Sequence, residues 1–147
     1  MSDSILKIIS INADYVPAKA QQIQAKEFLS KIFKEDNIQF ETHNEVEFID
    51  AGENFENIYC NVCGTEIPAN EWQDQMDEAF KSQFSNLKFQ TSCKHRVSLN
   101  HLNYQPAVGF AKFVINISNV QLELNQNQIS ELEAVLKTSI KIIWAYY

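Results

Sequence analysis

Glycine, proline and cysteine are all scarce in this chain, which contains three of each. So few glycines and prolines leave little room for linkers or low-complexity segments, and no internal repeat is apparent. The N-terminal segment, MSDSILKIISINADYVP, lacks a basic leader and a long apolar run, so neither a signal peptide nor a membrane span is expected. We expect one globular domain over residues 1–147, located in the cytoplasm.

Lysine and arginine are absent from residues 35–80, although this segment holds 13 of the 19 acidic residues. The rest of the chain carries all 12 basic residues, and the net charge is −7. An acidic protein repels phosphate backbones, so nucleic-acid binding, including that of a zinc ribbon, is not expected. A basic protein partner would be attracted to the acidic segment. The alternative interpretation is a solvated face that only keeps the protein soluble.

The three cysteines have a spacing that bears on their chemistry. Cys60 and Cys63 form a C-x-x-C pair followed directly by Gly64, and Cys93 lies thirty residues further on. An odd number of cysteines in a reducing compartment argues against a disulfide framework. Redox chemistry is disfavoured because no helix pattern begins at the pair and no basic residue adjoins it. The spacing favours a metal site, because two thiolates on a tight turn converge on one tetrahedral corner.

A structural zinc ion needs two further ligands, and Cys93 is the predicted third. His95 is the predicted fourth ligand, because it shares a turn with Cys93, although C-x-H is a tight spacing; His101 and His43 are the alternatives. Zinc is favoured over an iron–sulfur cluster because three cysteines cannot supply four thiolates. A site closed by Cys60, Cys63, Cys93 and His95 would be structural rather than catalytic. The competing interpretation is three core cysteines without a metal.

Hydrophobic periodicity predicts the α+β class, with one mixed β-sheet, helices mainly on one side and a zinc-knuckle insertion at about residues 50–104. An apolar stripe with acidic residues on the opposite, solvent-facing side predicts a helix within the insertion. The stripe contains Trp72, Met76, Ala79, Phe80 and Phe84, and the residues facing away are Glu71, Asp74, Asp77 and Glu78. A C-terminal helix is predicted from about Gln128 through Ile143, with the final aromatic residues packing against the body. The predicted strands are Ile5–Ile11, Glu45–Ile49, Leu87–Thr91 and Gly109–Ile117, and a first helix follows Pro17.

Four segments follow one another along the chain: NFENIYCNVCG, EWQDQMDEAF, TSCKHRVSLNHLNYQPAVGFAKF and a closing LEAVLKTSIKIIWAYY. Together they resemble a family of small bacterial proteins of unknown function, and the resemblance spans about residues 45–147. The resemblance implies a zinc knuckle and no known activity. Such proteins sometimes carry an ABC-transporter ATPase label, but this chain has no G-x-x-x-x-G-K-[ST] loop to bind phosphates. The matching residues outside the knuckle are Trp72, Met76, Asp77, Ser98, Leu99, Asn100, Leu102, Asn103, Tyr104, Gly109, Phe110, Ala111 and Phe113.

No nucleophilic triad and no H-E-x-x-H motif can be found in the chain. The leading functional hypothesis is therefore a non-enzymatic protein, braced by structural zinc, that presents an acidic surface to a basic protein partner. An immunity-type inhibitor of a cationic toxin domain is a concrete form of this hypothesis. The alternative is an enzyme with a site near Cys60, Cys63, Cys93 and His101.

Overall fold

The computed structural model describes residues 4–52, 57–120 and 122–146. It contains helices and antiparallel sheets in one α+β arrangement, which confirms the predicted class. None of the helices among the described residues has the length and apolarity needed to cross a membrane. The helices are α1 (Lys19–Ser30), α2 (Ala69–Lys81) and α3 (Gln126–Leu136). The strands are β1 (Ser4–Ser10), β2 (Ile38–Ile49), β3 (Asn57–Tyr59), β4 (Lys88–Gln90), β5 (Arg96–Ser98), β6 (Asn103–Gln105), β7 (Gly109–Ser118) and β8 (Ile140–Tyr146).

The main sheet has the strand order β2-β7-β1-β8. Strand β1 lies inside it, as its short apolar sequence predicts, and Ile8 pairs with Ile115 on one side and Ile142 on the other. All pairings between the described strands are antiparallel, so the parallel pairs that a mixed sheet would require are not among them. Two small sheets, β3-β6 and β4-β5, belong to the insertion.

Each face of the main sheet is covered by a different part of the chain. Helices α1 and α3 pack on one face, which we call the helical face, and bury residues such as Leu29 and Leu132 against Ile115. The segment between β2 and β7 covers the other face, which we call the insertion face, and buries Ile58 and Phe110 there. Two of the three helices in the described chain therefore share one side, and α2 belongs to the other.

The predicted C-terminal helix is too long. Helix α3 ends at Leu136, because Lys137 adopts a left-handed conformation with φ of 57°, and the chain then forms β8. Ile140 and Ile143 continue the helical spacing by coincidence, but the β-branched run pairs with β1 instead. Trp144 packs against the helical face, Tyr146 is 48% exposed, and Tyr147 lies outside the described residues.

The predicted stripe of α2 is correct for Met76 and Ala79, which are buried, but wrong for Phe80, which is 69% exposed. The helix ends at Lys81, and Gln83 and Phe84 both have positive φ values. This turn brings the ring of Phe84 to 5.4 Å from that of Phe110, so Phe84 packs on the insertion face from outside the helix.

Candidate metal centre

The first half of the candidate site is a tight turn between β3 and α2. The backbone N–H of Cys60 donates to the Thr65 carbonyl oxygen at 2.8 Å, and that of Gly64 donates to the Cys60 carbonyl oxygen at 2.9 Å. Gly64 has a φ of 77°, a left-handed conformation that glycine adopts without steric cost. This turn places the thiols of Cys60 and Cys63 on the same side of the knuckle, as C-x-x-C-G predicts.

The second half is the loop of the β4–β5 hairpin, which carries Cys93 and His95. The backbone N–H of Thr91 donates to the His95 carbonyl oxygen at 2.9 Å, and that of Lys94 donates to the Thr91 carbonyl oxygen at 2.9 Å. Lys94 lies between the two candidate ligands and has a φ of 67°. Because Lys94 adopts this left-handed conformation, the side chains of Cys93 and His95 can both point into the cluster although only one residue separates them.

The two turns bring four candidate ligand atoms together. The Sγ atoms of Cys60, Cys63 and Cys93 and a ring nitrogen of His95 all lie within 4.8 Å of one another. Cys60 Sγ is 3.9 Å from His95 Nδ1. Tetrahedral zinc with ordinary bond lengths would separate such sulfur and nitrogen atoms by about 3.6 Å, and two sulfurs by about 3.8 Å. The cluster could therefore hold a metal ion after shifts of about an ångström or less.

The site lies at the surface, with one buried and one exposed side. Cys60 is 2% exposed, Cys93 and His95 are half-buried, and Cys63 is exposed. Hydrogen bonds from the side chain and backbone of Thr65 lower the pKa of Cys63 to about 6, with smaller contributions from the thiols of Cys93 and Cys60. Thiols clustered this closely can stabilise a thiolate, the form in which cysteine binds metals.

Cys93 experiences opposing effects. The Thr91 hydroxyl lies 2.8 Å from Cys93 Sγ and lowers the pKa of that thiol. Burial and the neighbouring thiols of Cys63 and Cys60 outweigh this hydrogen bond, so the pKa of Cys93 is raised overall. A divalent cation at the centre of the three sulfurs would favour the thiolate form of all of them.

Helix α2 supports the second turn through a residue that sequence reasoning assigned to the solvent face. Glu71 accepts hydrogen bonds from the backbone N–H of Ser92 at 2.8 Å and from its hydroxyl at 3.1 Å. Because Ser92 precedes Cys93, this carboxylate holds the hairpin loop against the helix. In the sequence, the only indication of this role is that Glu71 lies in the first turn of the predicted helix. Asp74, Asp77 and Glu78 are exposed, as predicted.

Neither alternative histidine joins the cluster. His101 is exposed and lies at the end of a 3₁₀ turn, Leu99–His101, where it lines a separate groove. His43 lies on β2, where its ring nitrogens are 3.5 Å from a carboxylate oxygen of Glu41 and 3.6 Å from one of Glu47. Among the described histidines, His95 alone reaches the three cysteines.

Comparison of the chain with protein-family models, curated proteins and solved structures finds no match. The resemblance to an uncharacterised bacterial family therefore stays a prediction from the sequence motifs. The function proposed below is inferred from the geometry of this chain.

Proposed function

We propose that this is a non-enzymatic cytoplasmic protein in which one structural zinc ion is bound by Cys60, Cys63, Cys93 and His95. The proposal rests mainly on the convergence of four ligand atoms within 4.8 Å. Three sulfurs and one imidazole nitrogen form a donor set typical of structural zinc, whereas magnesium and calcium prefer oxygen ligands. Four protein ligands would leave no open position for a reacting water molecule.

Zinc in this position would link two turns that are about thirty residues apart in the sequence. The first turn follows β3 and the second connects β4 to β5, and each of these strands has three residues. Strands this short provide few backbone hydrogen bonds, so a metal crosslink would contribute much of the local stability. The ion would hold the insertion in the shape that covers the sheet.

Elemental analysis of the purified protein tests the zinc proposal. We expect about one zinc ion per chain in the wild type and a large loss in Cys93→Ser and His95→Ala. His101→Ala is the matched control, because this histidine is close in sequence but outside the cluster, and it should keep the metal. Wild-type protein without zinc, or His95→Ala with full zinc content, would contradict the proposed ligand set.

The second part of the proposal is that the acidic segment binds a basic protein partner. Asp74, Asp77 and Glu78 form an exposed face of α2. Lys81, just beyond residues 35–80, pairs with Glu78 at 2.8 Å; Asp74 and Asp77 form no ion pair among the described residues. A surface of this kind attracts a cationic protein over a distance set by ionic strength. An immunity-type inhibitor that neutralises a cationic toxin domain would use such a surface.

Capture from a cell lysate at low and raised salt tests the partner proposal. A basic protein should be retained at low salt and released as salt rises. The double variant Asp74→Asn/Asp77→Asn should weaken its capture. The double variant Glu123→Gln/Glu131→Gln removes the same charge outside the acidic segment and serves as the control. Retention that ignores both salt and the Asp74→Asn/Asp77→Asn change would count against an electrostatic interface.

One observation favours the enzyme alternative. A groove near the candidate metal centre is lined by Asn100 and His101. The Asn100 side chain, however, donates to the Ile11 carbonyl oxygen at 3.0 Å and accepts from the Phe110 backbone N–H at 2.9 Å, so it has a structural role. None of the described residues that line the groove belongs to the four-residue cluster. The groove is therefore better suited to binding than to metal-assisted catalysis.

A further inference from the structure

The groove lies where the insertion meets the end of the main sheet, and its volume is about 800 Å³. Its walls come from the segment after β1, from the turn after α2, and from the β4–β5 hairpin that also carries Cys93 and His95. Protein pockets that bind small organic ligands span roughly 300 to 1,000 Å³. The groove is thus large enough for a small organic molecule.

Two cations stand side by side on one wall. Lys88 is on β4 and Arg96 on β5, and the hairpin register pairs Lys88 with Ser98 and Gln90 with Arg96. Lys88 and Arg96 are therefore diagonal neighbours on one face of the hairpin, where like charges repel each other. Within the described chain, neither side chain forms an ion pair or a hydrogen bond.

The carboxylates of Asp14 and Glu78, which line the groove and a neighbouring cavity, form ion pairs with other lysines. Asp14 is the acidic residue among the groove's described lining, and its carboxylate lies 3.6 Å from Lys112 Nζ. Lys88 and Arg96 also border a smaller cavity that Glu78 lines, but Glu78 is held by Lys81 at 2.8 Å. In a protein of net charge −7, this wall is a local positive region, and no carboxylate among the described residues forms an ion pair with it.

The rest of the lining mixes apolar residues with uncharged polar ones such as Asn12 and Ser85. Val46, Phe84, Leu87 and Val97 contribute to the groove, and Ile11 lines it while remaining 44% exposed. Covering such side chains would add a favourable apolar contribution to the binding free energy of a ligand. An apolar body and an anionic head would match the two parts of the lining.

We infer that this groove binds a small organic anion whose carboxylate or phosphate group contacts Lys88 and Arg96 and whose apolar body covers Ile11 and Phe84. His101 lies on the same lining and would add a hydrogen-bond donor. A small anion fits better than nucleic acid or an acidic peptide, because a polyanion would extend from the positive wall over a protein that is acidic overall. The inference is independent of what the acidic surface binds.

Titrations followed by amide chemical shifts test this inference on metal-replete, full-length protein. Phenyl phosphate and benzoate are the probes that separate the two possible head groups, and benzyl alcohol is the neutral analogue. We expect at least one of the anions to shift the amides of residues 11–14, 84–88 and 96–101, and benzyl alcohol to bind more weakly. The affinity for that anion should fall when ionic strength is raised.

The double variant Lys88→Gln/Arg96→Gln should weaken binding of that anion by about fivefold or more. Lys31→Gln, which removes an exposed cation from the end of α1, should leave the affinity unchanged. Both lysines and Arg96 are exposed, so these variants should fold. Shifts confined to other regions, equal binding of benzyl alcohol, or an affinity that ignores both the double variant and salt would each overturn the inference.

Discussion

The two faces of the main sheet are stabilised in different ways. On the helical face, strands of seven to twelve residues and two amphipathic helices bury a continuous apolar cluster. On the insertion face, β3, β4, β5 and β6 have three residues each. The insertion face also buries an apolar cluster, but its strands are too short to provide long runs of backbone hydrogen bonds. A metal ion bound there would therefore add stability that the long strands of the main sheet do not need. The four-residue cluster lies in the region with the weaker ladders.

Loss of Cys60, the buried member of the proposed ligand set, should distinguish the two faces most clearly. Cys60→Ser should remove the metal and destabilise the insertion by about 4 kcal/mol or more, because a structural metal contributes directly to folding. Hydrogen exchange should show lost protection in residues 57–104, while β1 and β7 keep theirs. Equal loss in both regions would show that the sheet depends on the site as well, and unchanged protection would contradict a bracing role.

Leu132→Ala makes the converse change on the helical face. Leu132 on α3 is fully buried there, and its truncation should lower the free energy of unfolding by about 2–5 kcal/mol. The folded variant should retain its full zinc content, since Leu132 lies in the cluster on the other side of the sheet from the cysteines. Thermal unfolding and elemental analysis of the same sample measure both effects. Zinc loss from the folded Leu132→Ala variant would show that metal binding depends on packing on the helical face.

Two glycines with positive φ offer a matched comparison of steric environment. Gly52 has a φ of 80°, and an added Cβ would collide with the Tyr146 carbonyl oxygen of β8, whereas the same atom at Gly64 would meet open space. Gly52→Ala should therefore cost more than about 2 kcal/mol, and Gly64→Ala about 1–2 kcal/mol from the backbone conformation alone. Chemical denaturation measures the difference. A larger loss of stability in Gly64→Ala than in Gly52→Ala would mean that the turn of the knuckle is more sensitive to its backbone conformation than the open space around Gly64 indicates.

The smallest expected effect concerns the carboxylate that holds the hairpin loop. Glu71→Gln keeps the size of the side chain but weakens its two hydrogen bonds to Ser92, at a cost of about 1 kcal/mol. We expect zinc to pass more quickly to a chromophoric chelator in this variant. Asp74→Asn, an equal change on the exposed part of the same helix, should release zinc at the wild-type rate. If both variants released zinc at the same rate, the proposal that Glu71 stabilises the site would be contradicted.

The proximity of Cys60, Cys63, Cys93 and His95 illustrates what a sequence can predict, whereas metal binding by these residues stays a prediction. C-x-x-C-G indicates one local turn, and the short spacing of Cys93 and His95 indicates a second, so spacing was sufficient to predict that the four side chains lie together. The support from Glu71 could not be predicted in this way, because it depends on where α2 packs. Buried Asn100 was also missed as a structural residue, since its partners Ile11 and Phe110 become neighbours only in the folded sheet.

The errors in the predicted fold have a similar origin. Helical spacing continues through Ile140 and Ile143, and only the left-handed Lys137 and the partner strand β1 decide that this segment is β8. Strand order and the antiparallel pairing depend on contacts between distant segments. The strands whose own sequences are strongly apolar, β1 and β7, were the easiest to predict.

X-ray absorption at the zinc edge of the purified protein tests the central claim most directly. We expect three sulfur neighbours at about 2.3 Å and one nitrogen at about 2.0–2.1 Å, with no coordinated water. In His95→Ala protein that still binds zinc, the nitrogen neighbour should be replaced by oxygen from water. A wild-type spectrum dominated by oxygen neighbours, or purified protein that takes up no zinc, would contradict the proposal that Cys60, Cys63, Cys93 and His95 bind a structural ion.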